Sequence, residues 1–365
     1  MNNEVVTDKQ GIYLITLFIV GETFILARAL EAKQDFWLAI IIAMVMTVPF
    51  MLMFIRLHKL FPGKDLFDIN ESVFGKVLGK IISFLLIYYV ASNMISVMRV
   101  FTDFISFASL QGTPLAIPFI GLAFVCIWAV KQGIKLMGTW CDFFLPVIVV
   151  FLFIGIVLLI PEMRPNNLSP FLFYGMKPVM IGALSTFFFP LTETIAFVMI
   201  FAKFKNKNSA NKIYLYGLLF GGSFMLILVI TEVLVLGVST AAILYFPGYG
   251  TFSRLDVAGV LHRFEIISGA TFILGGFLKV SVLLLAICRG IAKIFNCEDY
   301  RFVVTPTALV IANVSYFFYE STMFMFQWIR DVWGYFAFPF QFVIPIIIWI
   351  SAEIRNRLVS RQVDS

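Results

Sequence analysis

Charge and reactive chemistry are what this chain has least of. Asp, Glu, Lys and Arg make up 13% of its 365 residues, whereas 61% are hydrophobic. So little polar surface cannot cover a water-soluble globule of this length, which leaves an integral membrane protein. The chain has two histidines, His58 and His262. They fall in connections on opposite sides of the membrane, which excludes a shared metal site. There is no P-loop, G-x-S-x-G or H-E-x-x-H pattern, so the chain is not expected to be an enzyme and no cofactor is implied. Cys126, Cys141, Cys288 and Cys297 lack C-x-x-C or His-paired spacing and read as packing residues. The polar, mildly acidic start from Met1 to Lys9 is not expected to be a signal peptide.

Long apolar runs are abundant. Ten are long enough to be spans: 12–26, 36–55, 81–101, 115–130, 143–160, 179–201, 213–237, 266–288, 303–319 and 332–352. The net charge of +6 comes from basic residues in short connections, not from one contiguous face. That is the pattern of membrane topology and not of nucleic-acid binding. With the connections assigned alternately, one side collects most of the basic residues, including Arg56, Lys59, Lys131, Lys135, Lys203, Lys205, Arg289 and Arg355. Both termini are therefore expected in the cytoplasm. Three connections are more than turns. Leu66, Ile69, Val73 and Val77 form a stripe suited to an amphipathic helix on the cytoplasmic membrane face. The Pro- and Asn-rich stretch from Met163 to Lys177 reads as an ordered outer loop. The segment from Ala241 to Glu265 opens with Tyr245-Phe246-Pro247-Gly248-Tyr249-Gly250 and continues into a short helix with Arg254, Asp256, Arg263 and Glu265, which suits a lid.

The sixth run carries the feature around which the rest is arranged. Phe187-Phe188-Phe189-Pro190-Leu191-Thr192-Glu193 puts a helix breaker and a carboxylate inside apolar sequence. Pro190 removes a backbone donor and clashes with the preceding turn, so the helix is expected to unwind near Phe189. Open backbone and an ionised side chain are both costly in hydrocarbon, and together they mark a site. Ten spans divide into two sets of five that enter the membrane from opposite sides, residues about 10–161 and about 178–353 of a single transmembrane domain. An inverted repeat then requires a matching interruption in the first span. Gly21-Glu22-Thr23 supplies it.

Glu22 is a candidate for ligand contact or coupling, ahead of the alternative of an interfacial or structural carboxylate. Glu193 is a candidate ligand group that also suits the cap of the following half-helix. Lys279, in the middle of the eighth run, is a fixed internal cation that needs Glu22, Glu193 or backbone carbonyls as partner, unless it snorkels. Glu232 in the seventh run invites a cation that the sequence does not identify. In the third run Asn93 and Val97 share a face with Ser96, and Phe101 is a candidate lining aromatic, whereas Arg99 and Asp103 at i and i+4 suit a mutual pair near the outer surface. With 43 Phe in the chain, most rings face lipid or core.

Taken together, several runs are similar to those of the spore germination permease family, the B subunits of nutrient germinant receptors. They are Asn167-Leu168-Ser169-Pro170, the Phe189-to-Glu193 break, Tyr245-Phe246-Pro247 followed by Arg254, and Arg263-Phe264-Glu265. The resemblance covers nearly the whole chain. It implies an all-α relative of the amino acid/polyamine/organocation transporters, with a LeuT-like five-plus-five inverted repeat and discontinuous helices 1 and 6. It further implies a place in the spore inner membrane beside an A subunit and a C lipoprotein subunit, where a small germinant such as an amino acid is sensed. Carried over by position, the ligand site comprises Gly21, Glu22, Thr23, Asn93, Val97, Phe101, Phe189, Pro190, Thr192 and Glu193, with Lys279 beside them. The alternative function is a proton-coupled secondary transporter of amino acids or organic cations, with Glu22, Glu193 or Lys279 carrying the coupling charge.

Overall fold

Inside a membrane every backbone N–H and C=O must be satisfied within its own segment, so apolar runs of this length have to be helical. A computed structural model describes residues 5–23, 27–206, 208–255 and 264–363, and these residues are helical almost throughout. Helix α1 (Asp8–Val20) is followed by a 3-10 turn (Leu30–Asp35), α2 (Phe36–Leu60), α3 (Leu66–Ala108), α4 (Ala116–Gln132) and α5 (Ile134–Leu159). After two outer 3-10 turns come α6 (Met176–Thr186), a π-turn (Phe187–Leu191), a 3-10 turn (Thr192–Thr194) and α7 (Ile195–Ile200). Next are α8 (Ser209–Leu236), α9 (Val238–Ile243), α10 (Pro247–Phe252), α11 (Phe264–Ile294), α12 (Arg301–Phe318), α13 (Thr322–Asp331) and α14 (Trp333–Phe338). A second π-turn (Pro339–Val343) leads into α15 (Ile344–Val363).

Eight helical stretches are long and apolar enough to cross a membrane, among the described residues. Of the ten runs expected to span, those of α1 and α4 fall short on length, with 13 and 17 residues. Burial sorts the eight. The most apolar window of Met176–Ile200 is 89% buried and that of Gly269–Ile294 is 83% buried, against 22% for Arg301–Phe318 and 28% for Trp333–Leu358. The broken stretch and α11 are therefore the core of the bundle, and α12 and α15 face outward. Small residues let the inner helices close on one another. A Cβ on Gly217 would lie 2.7 Å from Ile15, and one on Gly221 2.8 Å from Ile19. Helix α8 thus runs parallel to α1 at near-backbone distance.

Two connections differ from expectation. The expected stripe is divided: Leu66 and Ile69 are buried in the bundle, Val73 is half-buried and Val77 is exposed, because the arm is the first part of α3 and folds back at Gly75, whose φ of 80° a side chain would strain. Asn70 Nδ2 then reaches Ser83 Oγ at 3.2 Å, and a Cβ on Gly79 would sit 2.7 Å from the Asn70 carbonyl oxygen. Lys293 on α11 pairs with Asp68 of the arm. Of the lid, α9 and α10 are described and Arg254 follows α10 in a turn, while Asp256 and Arg263 lie outside the described residues and Glu265 falls in the first turn of α11. The described part packs ring on ring. Phe246 and Tyr249 stand 5.2 and 5.7 Å from Phe104, which meets Phe272 of α11 at 4.4 Å.

Candidate functional site

Both expected interruptions are present, at facing positions. Helix α1 ends at Val20, with the Gly21 amide still bonded to the Leu17 carbonyl at 2.8 Å. Gly21 packs against Gly275 of α11 so closely that a Cβ on either would come within 3 Å of the other's backbone. In the sixth span α6 stops at Thr186, and Phe189 is extended with φ −153° and ψ 107°. Pro190 cannot donate to the turn before it, which is the local cause. Glu193 then falls in the short 3-10 turn that restarts the helix.

Lys279 sits between the two breaks. Its ammonium donates to Glu193 Oε2 at 2.5 Å and lies 2.5 Å from Glu22 Oε2. All three side chains are at most 3% exposed. Two aromatic faces complete the surround: the ammonium is 4.6 Å from the Phe18 ring centre and 4.9 Å from that of Phe189. A desolvated cation gains from ring faces as well as from carboxylates. The snorkelling alternative is thereby removed, since Lys279 is wholly buried and doubly paired.

Sequence reasoning missed Arg28. It lies in the connection after the first break and is 5% exposed. Its guanidinium is 3.6 Å from Glu22 Oε2 and stacks 4.1 Å above the Phe189 ring centre. Phe189 is thus held between two cations on its faces and Trp333, 5.8 Å away edge-on. Glu232 on α8 is 1% exposed and lies within electrostatic reach of Arg28. Placed by charge in an outer connection, Arg28 carried no sequence signal of turning inward. The proximity of Glu22 in the sequence was the available hint.

Gln341 was also missed. It sits in the π-turn before α15 and is wholly buried. Its Nε2 donates to the Phe188 carbonyl at 3.0 Å and to the Tyr89 hydroxyl of α3, and its Oε1 accepts from Thr192 Oγ1 at 2.7 Å. One amide therefore joins α3, the broken sixth span and the tenth. Gln341 follows Pro339 by two positions inside an apolar run, much as Glu193 follows Pro190 by three, and that similarity is the signal that would have found it.

The expected residues divide among the charged centre, the Gln341 knot and packing contacts away from both. Gly21, Glu22, Phe189, Pro190, Glu193 and Lys279 form the charged centre. Thr192 belongs to the Gln341 knot, and Asn93 adjoins the same knot through Tyr89, although neither of its amide atoms completes a hydrogen bond among the described residues. Thr23 is buried and turns back to the Ile19 carbonyl at 3.3 Å. Val97 is buried, and Phe101 stacks on Phe272 at 4.5 Å, with Gly276 leaving the space: a Cβ there would be 1.8 Å from the Phe101 ring. Arg99 and Asp103 pair with each other at 3.0 Å, and Arg99 also clamps the Tyr316 and Tyr319 carbonyls of the ninth span. That pair fastens helices and stays out of the charged centre. Ser96 likewise meets Tyr319 at 2.6 Å.

Comparison with known proteins gives a consistent answer. Residues 5–323 match a family model described as spore germination protein. Spore germination protein KB of Bacillus subtilis (strain 168) is 24% identical over 95% of this chain and 94% of its own length. Spore germination protein YndE of the same organism is 23% identical over 97% of this chain and 98% of its own. Among solved structures, Mhp1, a nucleobase-cation-symport-1 family transporter in a closed conformation with bromovinylhydantoin bound, superposes with a TM-score of 0.65. It covers 94% of this chain and 80% of the transporter at 11% identity, so the likeness is one of fold: an all-helical, LeuT-like transporter architecture.

Proposed function

Because this chain belongs to the spore germination protein family, and is a multi-pass membrane protein of transporter-like fold, we propose that it acts in spore germination by binding a small germinant at mid-membrane depth. The observation that carries this reading is the single ammonium of Lys279 shared by the carboxylates of two helix breaks, Glu22 and Glu193. Structural helix caps do not need a buried cation in common. A shared one makes the relative position of the two breaks an electrostatic variable, and a ligand that inserts among these groups changes it. Such a ligand shifts the protein between states only through unequal affinity for them. Partner subunits of the A and C types, implied by the family resemblance, would read the shift. Both termini are assigned to the cytoplasm by the basic connections, and the spore inner membrane is the setting that the resemblance implies. No catalytic role is proposed.

The second reading, a proton-coupled secondary transporter for amino acids or organic cations, draws on the transporter fold and on titratable groups at the breaks. Two experiments separate them. Spores carrying Glu193→Ala, with the protein present at its normal level, are expected to lose the germination response of the wild type. Proteoliposomes holding the isolated chain are expected to show no accumulation of radiolabelled amino acids under a proton gradient. A normal response in both Glu193→Ala and Gly21→Leu spores overturns the site, and accumulation in the liposomes favours transport.

A further inference from the structure

The charged centre contains more carboxylates than cations. Glu22, Glu193 and Glu232 are each 1–2% exposed, and the buried cations facing them among the described residues are Arg28 and Lys279. An ionised carboxylate without a partner is among the costliest things to bury. The deficit has an address. Lys279 is consumed by Glu22 and Glu193, and Arg28, 3.6 Å from Glu22 and over the Phe189 ring, is shared electrostatically among Glu22, Glu193 and Glu232, so two cations face three carboxylates. Glu232 is left with both oxygens buried and neither in a hydrogen bond among the described residues. The parallel packing of α8 on α1, with Gly217 at Ile15 and Gly221 at Ile19, carries Glu232 past the break to the level of Arg28. Glu31 also acts on Arg28, but it is half-exposed and screened by water. The carboxylate that lacks a hydrogen-bonded partner thus stands beside Arg28, past the break from the Glu22–Lys279–Glu193 cluster.

We propose that a ligand carrying a protonated amine completes this cluster, its ammonium lodged against Glu232. The ligand is then a monovalent organic cation or an amine whose own carboxylate is masked. An anion is rejected by the surplus charge. A zwitterionic amino acid brings no net charge and leaves the deficit where it was. This assignment deepens the germinant-binding reading above and rests on the centre described there.

The test uses the full chain purified in detergent at constant ionic strength, with thermal unfolding as the readout. Leucinamide and isoamylamine are the monovalent cationic probes, leucine the zwitterion, 4-methylpentanamide the neutral control and potassium chloride the inorganic control. Both cations are expected to raise the unfolding temperature of the wild type, and the controls are not. Loss of a charge-assisted contact at Glu232→Gln should weaken the half-saturating concentration of the cations roughly tenfold to a hundredfold. Glu232→Asp, which keeps the charge but shortens its reach, is expected to fall in between, and it serves alone if the Gln variant does not fold. The proposal is overturned by a stabilisation that is absent with both cations, equalled by potassium chloride, or undiminished in the Glu232 variants. A pH-dependent stability that vanishes in Glu232→Gln, without any cation effect, assigns the missing charge to a proton and also overturns it. Glu193→Gln separates the two readings. Leucine binding that depends on Glu193 but not Glu232 keeps the central site and removes the cation class, whereas cation binding that depends on Glu232 but not Glu193 does the reverse.

Discussion

Replacing Lys279 by methionine removes the ammonium that pairs with both Glu22 and Glu193. Each carboxylate oxygen lies 2.5 Å from the ammonium, so the two oxygens are within about 5 Å of each other, where like charges repel by roughly 3 kcal/mol at an effective dielectric of 20. Breaking a buried pair by deleting one partner costs about 3–5 kcal/mol, and here two partners are left behind. Lys279→Met is therefore expected to be among the most destabilising substitutions in the chain although it preserves volume. The stronger expectation concerns sign. Adding Glu193→Gln to Lys279→Met removes the repulsion, and the remaining Glu22 still has Arg28 at 3.6 Å. The double variant should thus be more stable than Lys279→Met alone by about 1–3 kcal/mol, even though Glu193→Gln by itself destabilises the wild type by stripping Lys279 of a partner. The assay is thermal or denaturant unfolding of the four proteins in one detergent, followed by tryptophan fluorescence. A double variant no more stable than Lys279→Met would refute the shared-cation account and leave Glu193 as a local cap.

Gln341→Leu leaves the Phe188 carbonyl, the Tyr89 hydroxyl and Thr192 without their common partner. At about 1–3 kcal/mol for each buried polar group left unsatisfied, it should lower global stability and raise amide exchange selectively across residues 187–192, as read by hydrogen exchange with mass spectrometry; uniform exchange would contradict the knot. In the connection between α2 and α3, burial, reinforced by the neighbouring Asp68 carboxylate, raises the Asp65 carboxyl from 3.8 to about 6. A raised acid is more easily protonated folded than unfolded, so its contribution to stability is present below pH 3.8 and is lost as pH climbs through about 6. Asp65→Asn keeps an oxygen to accept from the Asp68 amide, a 2.9 Å bond in the wild type. It is expected to stabilise the protein at pH 7.5 by up to roughly 3 kcal/mol and to be neutral near pH 3.5, and unfolding midpoints at the two values check the sign.

How much of this could be read from residues alone depended on whether a feature is local. Pro190 and Gly21 act on their own turns, so the unwinding at Phe189 and the end of α1 near Gly21 were legible. Lys279 could be recognised as needing a carboxylate because burial of a lone ammonium in hydrocarbon is prohibitive wherever the partner lies. What stayed hidden depended on long-range geometry. The Leu66–Ile69 stripe has the same period whether it meets lipid or protein, and only the reversal at Gly75 decides between them. Arg28 lies two residues beyond the expected first span, where charge ordinarily marks solvent, and its inward turn follows from Glu22 and the Phe189 face being close enough to hold it. Gln341 is an uncharged amide in a run of aromatics, and its importance comes from two backbone breaks, in the sixth and tenth spans, meeting at one point.

That meeting bears on how a centre built from fixed charges could move at all. A continuous helix resists bending because every turn would have to give up its bonds, whereas the sixth span has already surrendered its own at Phe189 and recovers them through Gln341 and Thr192. These are side-chain bonds, exchangeable one at a time, and they connect to the tenth span, which is largely lipid-facing, with 28% of its window buried. The charges of Glu22, Lys279 and Glu193 hold the inner ends of the breaks together, and the amide of Gln341 holds the sixth span to the periphery. A ligand that alters the first set of contacts therefore acts on a span whose polar link to the tenth span is a few neutral hydrogen bonds, each worth about 1 kcal/mol. That is well within what the binding of one small molecule supplies.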